Sequence, residues 1–266
     1  MGIESKRQFA VITGASSGIG FELARECIRN GFDVMICSDE ARIEDAASQL
    51  GGDGARVIPV QADLSTYDGV ETLAAAIHEY PFPVDALLLN AGFGLGGAFV
   101  DTDLQAELRM IGLNCAHTVH LAKRVLPRMI ARGQGRVLIT GSVVSTSPNP
   151  FQAVYGATKA FVMSFGEAIR YELKDSGVTV TVVQPGATDT EFFERADLMD
   201  TKVGQSEKDS AELVAKNSIE AMLAGKDSVL AGSFKSKVEG LMHEVLPETT
   251  KAAAAGKQTK PGSAKR

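Results

Sequence analysis

Phe9-Ala10-Val11-Ile12-Thr13 runs directly into Gly14-Ala15-Ser16-Ser17-Gly18-Ile19-Gly20, after which the pattern turns amphipathic. An apolar run, a glycine turn and a helix thus follow one another with no loop between them. Glycines at 14, 18 and 20 let the backbone turn tightly and come close to a ligand, and the free N–H groups and dipole at a helix start favour negative charge. The chain holds 27 glycines, so the spacing alone is a weak signal. Its place, at the first strand of a strand–helix alternation, points to a nucleotide pyrophosphate at this turn rather than an ordinary glycine-rich bend.

Outward from the turn the alternation continues. Apolar runs near Phe9 to Thr13, Asp33 to Cys37, Arg56 to Val60, Asp85 to Asn90, Arg136 to Thr140, Val178 to Val183 and Ser228 to Leu230 read as strands. Amphipathic stretches near Ile19 to Asn30, Arg42 to Leu50, Tyr67 to Tyr80, Leu104 to Arg132, Val154 to Ser176 and Ser210 to Ala224 read as helices. Seven strands with helices between them predict an α/β fold, a doubly wound parallel sheet flanked by helices in a single domain. Two stretches break the rhythm. Residues 187–209 are long and polar with embedded Phe192, Phe193, Leu198 and Met199, and read as an excursion that covers a ligand. Residues 248–266 carry almost no large apolar side chain and are expected to form a disordered tail after a domain spanning 1–247.

Composition narrows the partners. With 44% hydrophobic and 23% charged residues the chain is of globular type, and 27 basic against 33 acidic residues build no dominant positive field. A small molecule is expected, and neither nucleic acid nor membrane. No apolar run approaches the roughly 20 residues of a membrane helix, and Met1 to Phe9 is too short and polar for a signal peptide. Cys27, Cys37 and Cys115 are odd in number and scattered, which suits a cytoplasmic protein and indicates neither a disulfide frame nor a zinc site. His117 and His120 have no third ligand nearby in sequence, so no metal is expected.

Chemistry-bearing residues gather at the ends of the expected strands. Asp63 follows the third, where a carboxylate accepts from an adenine amino group; Asn90-Ala91-Gly92 follows the fourth, where a small turn lies against a ribose. Either alone is also an ordinary helix cap. Ser142 ends the fifth strand, at the carboxyl edge where open α/β sheets place ligands. Tyr155 and Lys159 stand four apart at a helix start, on one face. A carbonyl that accepts hydride needs a proton as charge develops, and a tyrosine of ordinary pKa about 10 needs a neighbouring ammonium to supply it near neutrality.

Thr13 to Gly20, Asp63, Asn90-Ala91-Gly92, Asn114, Ser142, Tyr155 to Lys159 and Pro185-Gly186, in this order and spacing, resemble the short-chain dehydrogenase/reductase family from about Phe9 to Gly232. One departure is Leu89, where the family usually has an additional asparagine. The resemblance implies a Rossmann-like fold and an NAD(P)-dependent enzyme that moves hydride between nicotinamide and a carbonyl or secondary alcohol. It implies Tyr155 as general acid/base and Lys159 as the group that lowers its pKa and binds the nicotinamide ribose. Ser142 would orient the substrate oxygen, and Asn114 would hold a water linking Lys159 to solvent. For the cofactor it implies Gly14, Ser16, Ser17, Gly18, Ile19 and Gly20 at the phosphates, and Asp63 and Leu64 at the adenine. Asn90, Ala91 and Gly92 would meet the ribose, and Pro185, Gly186 and Thr188 the nicotinamide. The end of the second strand, Cys37-Ser38-Asp39-Glu40-Ala41-Arg42, chooses between NAD and NADP. There Ser38 and Asp39 are the candidate ribose contacts, and the acids tilt the reading to NAD. Phe93, Val144, Phe151, Phe192 and Phe193 are the candidate walls of an apolar substrate pocket. A homodimer or homotetramer is expected. A redox-neutral relative, an epimerase or dehydratase, and a non-catalytic dinucleotide sensor are the alternatives; the Ser142, Tyr155 and Lys159 set argues against the sensor.

Overall fold

Alternate side chains of β1 (Gln8–Thr13) face opposite ways, and both faces are apolar. Phe9 and Val11 enter one core with Leu87 and Leu89 of β4 (Ala86–Leu89). Ala10 and Ile12 enter a second core with Ala86 and Leu88. A sheet buried on both faces needs helices on both, and this computed structural model, which describes residues 7–52, 54–233 and 247–265, supplies them.

The other strands are β2 (Phe32–Ser38), β3 (Val57–Gln61), β5 (Gly135–Thr140), β6 (Val178–Pro185) and, numbered ninth in the chain, β9 (Ser228–Ala231). With β1 and β4 they form a seven-stranded sheet in the order β3-β2-β1-β4-β5-β6-β9, every neighbouring pair parallel. The expected Rossmann-like doubly wound sheet is therefore present. The chain winds outward from β1 to β3, then returns to β4 on the other side of β1. Between the carboxyl ends of β1 and β4 the connections diverge and leave the crevice in which such sheets bind ligands.

Helices α1 (Gly18–Arg29), α2 (Ile43–Leu50), α3 (Tyr67–Glu79), α6 (Ala153–Leu173) and α9 (Ala211–Leu223) lie near their expected places. The single helix expected over Leu104 to Arg132 is instead α4 (Leu104–Ile111), a π turn over Gly112–Ala116 and α5 (His117–Arg132). Asn114 sits in the middle of that π turn, whose wider winding re-aims one side chain without ending the helix. Residues 187–209 hold β7 (Thr188–Asp189), the short helices α7 (Phe192–Arg195) and α8 (Lys202–Gln205), and the start of β8 (Asp209–Ser210), with a small core of Phe193, Ala196 and Leu198.

The tail corrects the sequence expectation. Residues Glu248–Thr259 form a helix, α10, that lies beside Pro150 and Phe151 at Gly256. The stretch Lys251-Ala-Ala-Ala-Ala255 is rich in the best helix former. Hydrogen bonds, rather than a large apolar face, hold it in place: the Thr259 hydroxyl donates to the Pro150 carbonyl at 2.6 Å. The Gly262 N–H donates to the Asp200 carboxylate at 2.7 Å, and the Lys202 N–H to the Ser263 hydroxyl at 3.0 Å. No helix among the described residues is long and apolar enough to cross a membrane.

Helix α6 approaches the sheet at Gly166, where a Cβ would lie 2.5 Å from Val182 Cγ2 and 3.2 Å from Ile139 Cδ1. Glycine to alanine within a helix ordinarily stabilises by about 0.5–1 kcal/mol. Here Gly166→Ala is expected to destabilise by about 1–3 kcal/mol in urea unfolding, because the helix must lift from β6.

Candidate active site

The cradle at the crevice starts with a backbone that only glycine fits. Gly14 has φ +69°, and a Cβ there would stand 2.8 Å from Ala91 Cα. A Cβ on Gly20 would overlap the Gly14 carbonyl oxygen. Ser17 caps α1 without a side-chain hydrogen bond to the first turn, leaving helix N–H groups to face an anion. Close backbone approach and free donors together fit a dinucleotide pyrophosphate.

The facing wall is Asn90-Ala91-Gly92, and it is tied to the cradle. The Asn90 side-chain amide donates to the carbonyls of Thr13 at 3.0 Å and Gly14 at 3.3 Å, and its oxygen accepts from the Thr140 hydroxyl at 3.1 Å. Asn90 thus joins the ends of three strands, while Ala91 and Gly92 line the cleft. Leu89, the departure from the family pattern, is a buried core residue, so the turn does not need a second amide there.

The cleft has a volume of about 510 Å³ and collects the expected cofactor residues: the cradle through Ile19 and Gly20, Ser38 and Asp39, Asp63 and Leu64, and Pro185, Gly186 and Thr188 all line it. Around Ser38 the charges are arranged differently from the sequence reading. Asp39 is held by Arg109 of α4 at 2.9 Å. Glu40, which the sequence reading did not single out as a ribose contact, accepts from the Ser16 hydroxyl at 2.8 Å and pairs with Arg42 at 2.5 Å and Arg195 at 2.8 Å. Burial pushes the Glu40 carboxyl up, but Ser16, Arg42 and Arg195 outweigh it and hold it below the usual range. Arg42 also grips both oxygens of Glu191, at 2.9 and 2.7 Å. That grip holds the Glu191 carboxyl down at about 2, with burial opposing and Arg195 adding to it. Asp63 accepts from the Ser65 N–H and hydroxyl on one oxygen and meets Arg109 at 3.5 Å on the other.

At the opposite end Ser142, Tyr155 and Lys159 converge, each more than nine-tenths buried. Ser142 caps a 3₁₀ turn over Val143–Thr146 that follows β5, and Tyr155 and Lys159 rise from the first turns of α6. Burial pushes the Tyr155 phenol up to about 12, with the Ser142 hydroxyl pulling the other way. Burial also draws the Lys159 ammonium down to about 8. The lowered tyrosine expected from the resemblance is therefore not set by these side chains themselves; desolvation dominates. Lys159 Nζ donates to the Thr140 carbonyl at 2.8 Å and lies 5.9 Å from the Tyr155 ring centre.

Asn114 is not part of the cleft lining. Its amide donates to the Phe93 carbonyl at 3.0 Å and the Thr158 hydroxyl at 2.9 Å, and its oxygen accepts from the Phe93 N–H at 3.1 Å. It clamps the Phe93 segment to α6. His117 beside it is buried, with Nδ1 on the Leu113 carbonyl, and desolvation draws it down to about 4; His120 turns outward to Glu71.

Phe93, Val144, Phe192 and Phe193 line the cleft, with the Phe192 ring centre 5.3 Å from that of Tyr155. Phe151 does not. It has φ +61°, a conformation no sequence pattern reveals, and it lies beside α10 near Gly256 rather than along the cleft. The lining residues that sequence reasoning missed include Arg109, Gln152, Arg195 and Val203, while Glu40 counts with Asp39 among the acids that oppose a 2′-phosphate.

A family model described as short chain dehydrogenase matches residues 8–200. The chain belongs to the short-chain dehydrogenase/reductase family. Membership makes it an NAD(P)-dependent oxidoreductase. This short-chain dehydrogenase/reductase is 31% identical over 198 residues to an uncharacterized oxidoreductase of Staphylococcus epidermidis, covering 74% of this chain and 85% of that one. It is 31% identical to oxidoreductase UcpA of Salmonella typhimurium over 206 residues, covering 77% and 76%. Among solved structures, a short-chain dehydrogenase from Sphingobium yanoikuyae in complex with NADPH is similar with a TM-score of 0.79 at 29% identity, covering 90% of this chain and 96% of that one. The bulky-bulky ketone specific alcohol dehydrogenase from Comamonas testosteroni is similar with a TM-score of 0.76 at 26% identity, covering 91% and 96%.

Proposed function

We propose that the cleft reduces a carbonyl, or oxidises a secondary alcohol, of a small molecule with an apolar body, with Tyr155 as the proton-transfer residue. The observation that carries this reading is the convergence of Ser142, Tyr155 and Lys159, all buried, beside a backbone cradle fit for a dinucleotide. Bound nicotinamide supplies or accepts the hydride. Every proton is the protein's task.

In the reducing direction the Tyr155 phenol, neutral over the whole physiological range, gives its proton to the substrate oxygen as negative charge develops there. Ser142, whose hydroxyl holds the phenol's pKa down against burial, steadies that same oxygen. The phenolate left behind is reprotonated from Lys159, whose ammonium is loosened to about 8 by burial and so parts with a proton near neutrality. Asn114 acts as a positioning residue that fixes Phe93 and the start of α6. The similar solved structure with NADPH and the ketone-specific relative support both the cofactor class and the carbonyl substrate.

NAD is favoured over NADP by Glu40. Its carboxylate already takes up the Ser16 hydroxyl and the Arg42 and Arg195 guanidinium groups that a 2′-phosphate would need. A homodimer or homotetramer is favoured by Leu104, Leu108 and Ile111, which stand exposed along one face of α4, and by exposed Phe161 on α6.

Tyr155→Phe should keep the circular dichroism spectrum and lose at least about two orders of magnitude in turnover. In the wild type, kcat/KM for carbonyl reduction should fall as pH rises through about 8, where Lys159 loses its proton. Lys159→Arg, which stays charged but cannot release a proton, should lose most of the turnover at every pH; a profile flat through this window in the wild type contradicts the lysine's role. For cofactor choice, Glu40→Gln should move the ratio of kcat/KM toward NADPH by about tenfold, the worth of one charge-assisted contact at the low end. Asp39→Asn should move it less; the reverse ranking would return the choice to Asp39.

A further inference from the structure

A second concavity lies between α3 and α5 and is bounded by residues 80–84, which lead into β4. Its volume is about 720 Å³, within the range that holds a small organic molecule. No residue that lines it also lines the cleft. Its lower wall is apolar: Ile77, Val84, Val125 and Met129 reach it from the core, and Ala74 and Ala75 of α3 add two short side chains.

The rim is positive. Arg124, Arg128 and Arg132 line it at intervals of four residues, so they form one row on α5 with a rise of about 6 Å between neighbours. The outer two are anchored. Arg124 pairs with Glu71 at 2.7 Å, and Arg132 donates to the Val84 carbonyl at 2.8 Å and meets Asp85 at 3.4 Å. Arg128 between them has no carboxylate partner among the described residues; its guanidinium meets Nδ1 of His78, a neutral acceptor. One turn to either side of Arg128 stands another arginine, and like charges at that spacing destabilise a helix. Glu71 is the one carboxylate in the lining against three guanidinium groups. The chain as a whole has a formal charge of −6, so this row opposes the charge of the molecule that carries it. An oxyanion on Arg128 would relieve the repulsion along the row and match the planar fork of the guanidinium.

We infer that the groove between α3 and α5 is a second binding site, separate from the cleft, for a small amphiphilic anion: an oxyanion head on an aliphatic body. The head sits on Arg128, with Arg124 and Arg132 adding their fields from fixed positions. The body lies along Ala74, Ala75, Val125 and Met129. The site is independent of the carbonyl-reductase reading, because it shares no residue with the cleft.

The probe is decanoate, compared with decanol, decyltrimethylammonium and inorganic phosphate. Binding to the full chain is measured by calorimetry and located by NMR of alanine methyl groups. Decanoate should shift the methyls of Ala74, Ala75 and Ala131, which line the groove; Ala91 and Ala187 line the cleft and report on binding there instead. Decanoate should bind at least about tenfold tighter than the neutral and cationic chains, a step of roughly 1.4 kcal/mol. Inorganic phosphate, which has no body, should bind more weakly than decanoate. Arg128→Glu should weaken decanoate by at least about tenfold, whereas Arg128→Lys should stay within about threefold of the wild type. Because Arg128→Glu places an acid between two arginines on an exposed helix face, its melting temperature should hold or rise, which separates lost binding from lost folding. Equal affinity for the three chains, shifts confined to Ala91 and Ala187, phosphate binding as tightly as decanoate, or an unchanged Kd in Arg128→Glu each overturn the inference. So does an Arg128→Glu protein whose oligomeric state changes in sedimentation while decanoate leaves the groove methyls of the wild type unmoved, since the groove is then an interface between copies of the chain.

Discussion

The Thr13 hydroxyl holds the ends of β1 and β4 together, and the site hangs from that joint. It accepts the N–H groups of Asn90 and Ala91, each at 3.0 Å, and lies 3.4 Å from the Leu88 carbonyl. Where two parallel strands carry their chains in opposite directions, their last backbone groups lose their ladder partners. A short hydroxyl side chain restores them without filling the crevice. Once β1 and β4 are fixed at this spacing, Gly14 must pass Ala91 with no room for a side chain, and the phosphate cradle and its facing wall are set by one contact.

From that joint the cleft divides into two electrostatic regimes. At the adenosine end, exposed charges alternate in space: Asp39 with Arg109, Glu40 with Arg42 and Arg195, Arg42 with Glu191. Pairs of this exposure contribute little stability each and are screened by salt. Their consequence is positional, since Glu191 and Arg195 belong to the covering segment and Glu40 and Arg42 to the loop after β2. At the other end Ser142, Tyr155 and Lys159 are buried in the cleft wall, and desolvation moves the phenol up and the ammonium down toward their uncharged forms.

The sheet and both ends of the cleft were legible because they depend on local rules. Strand periodicity, a glycine turn and the Tyr155–Lys159 spacing each act within a few residues. What escaped depends on contacts between distant segments. Arg109 and Arg195 reach the adenosine end from α4 and α7, and nothing beside them in sequence marks that destination. Phe151 reads as a pocket wall from its side chain, yet it lies beside Gly256 of α10 and outside the cleft lining. The stretch Leu104 to Arg132 reads as one helix, yet a π turn around Asn114 divides it. The tail reads as disordered because its apolar content is small, but Thr259, Gly262 and Ser263 are satisfied by Pro150, Asp200 and Lys202, none of which the tail composition reveals.

Transfer of label from reduced cofactor to product tests the function most directly. The protein would be incubated with NADH or NADPH deuterated at the transferable position of the nicotinamide, together with a panel of ketones and aldehydes, and the alcohols examined by mass spectrometry. One deuterium on the new carbinol carbon, with equal loss of reduced cofactor and with loss of both signals in Tyr155→Phe, is the expected result. Unlabelled product formed without net cofactor oxidation would show redox-neutral chemistry and contradict it.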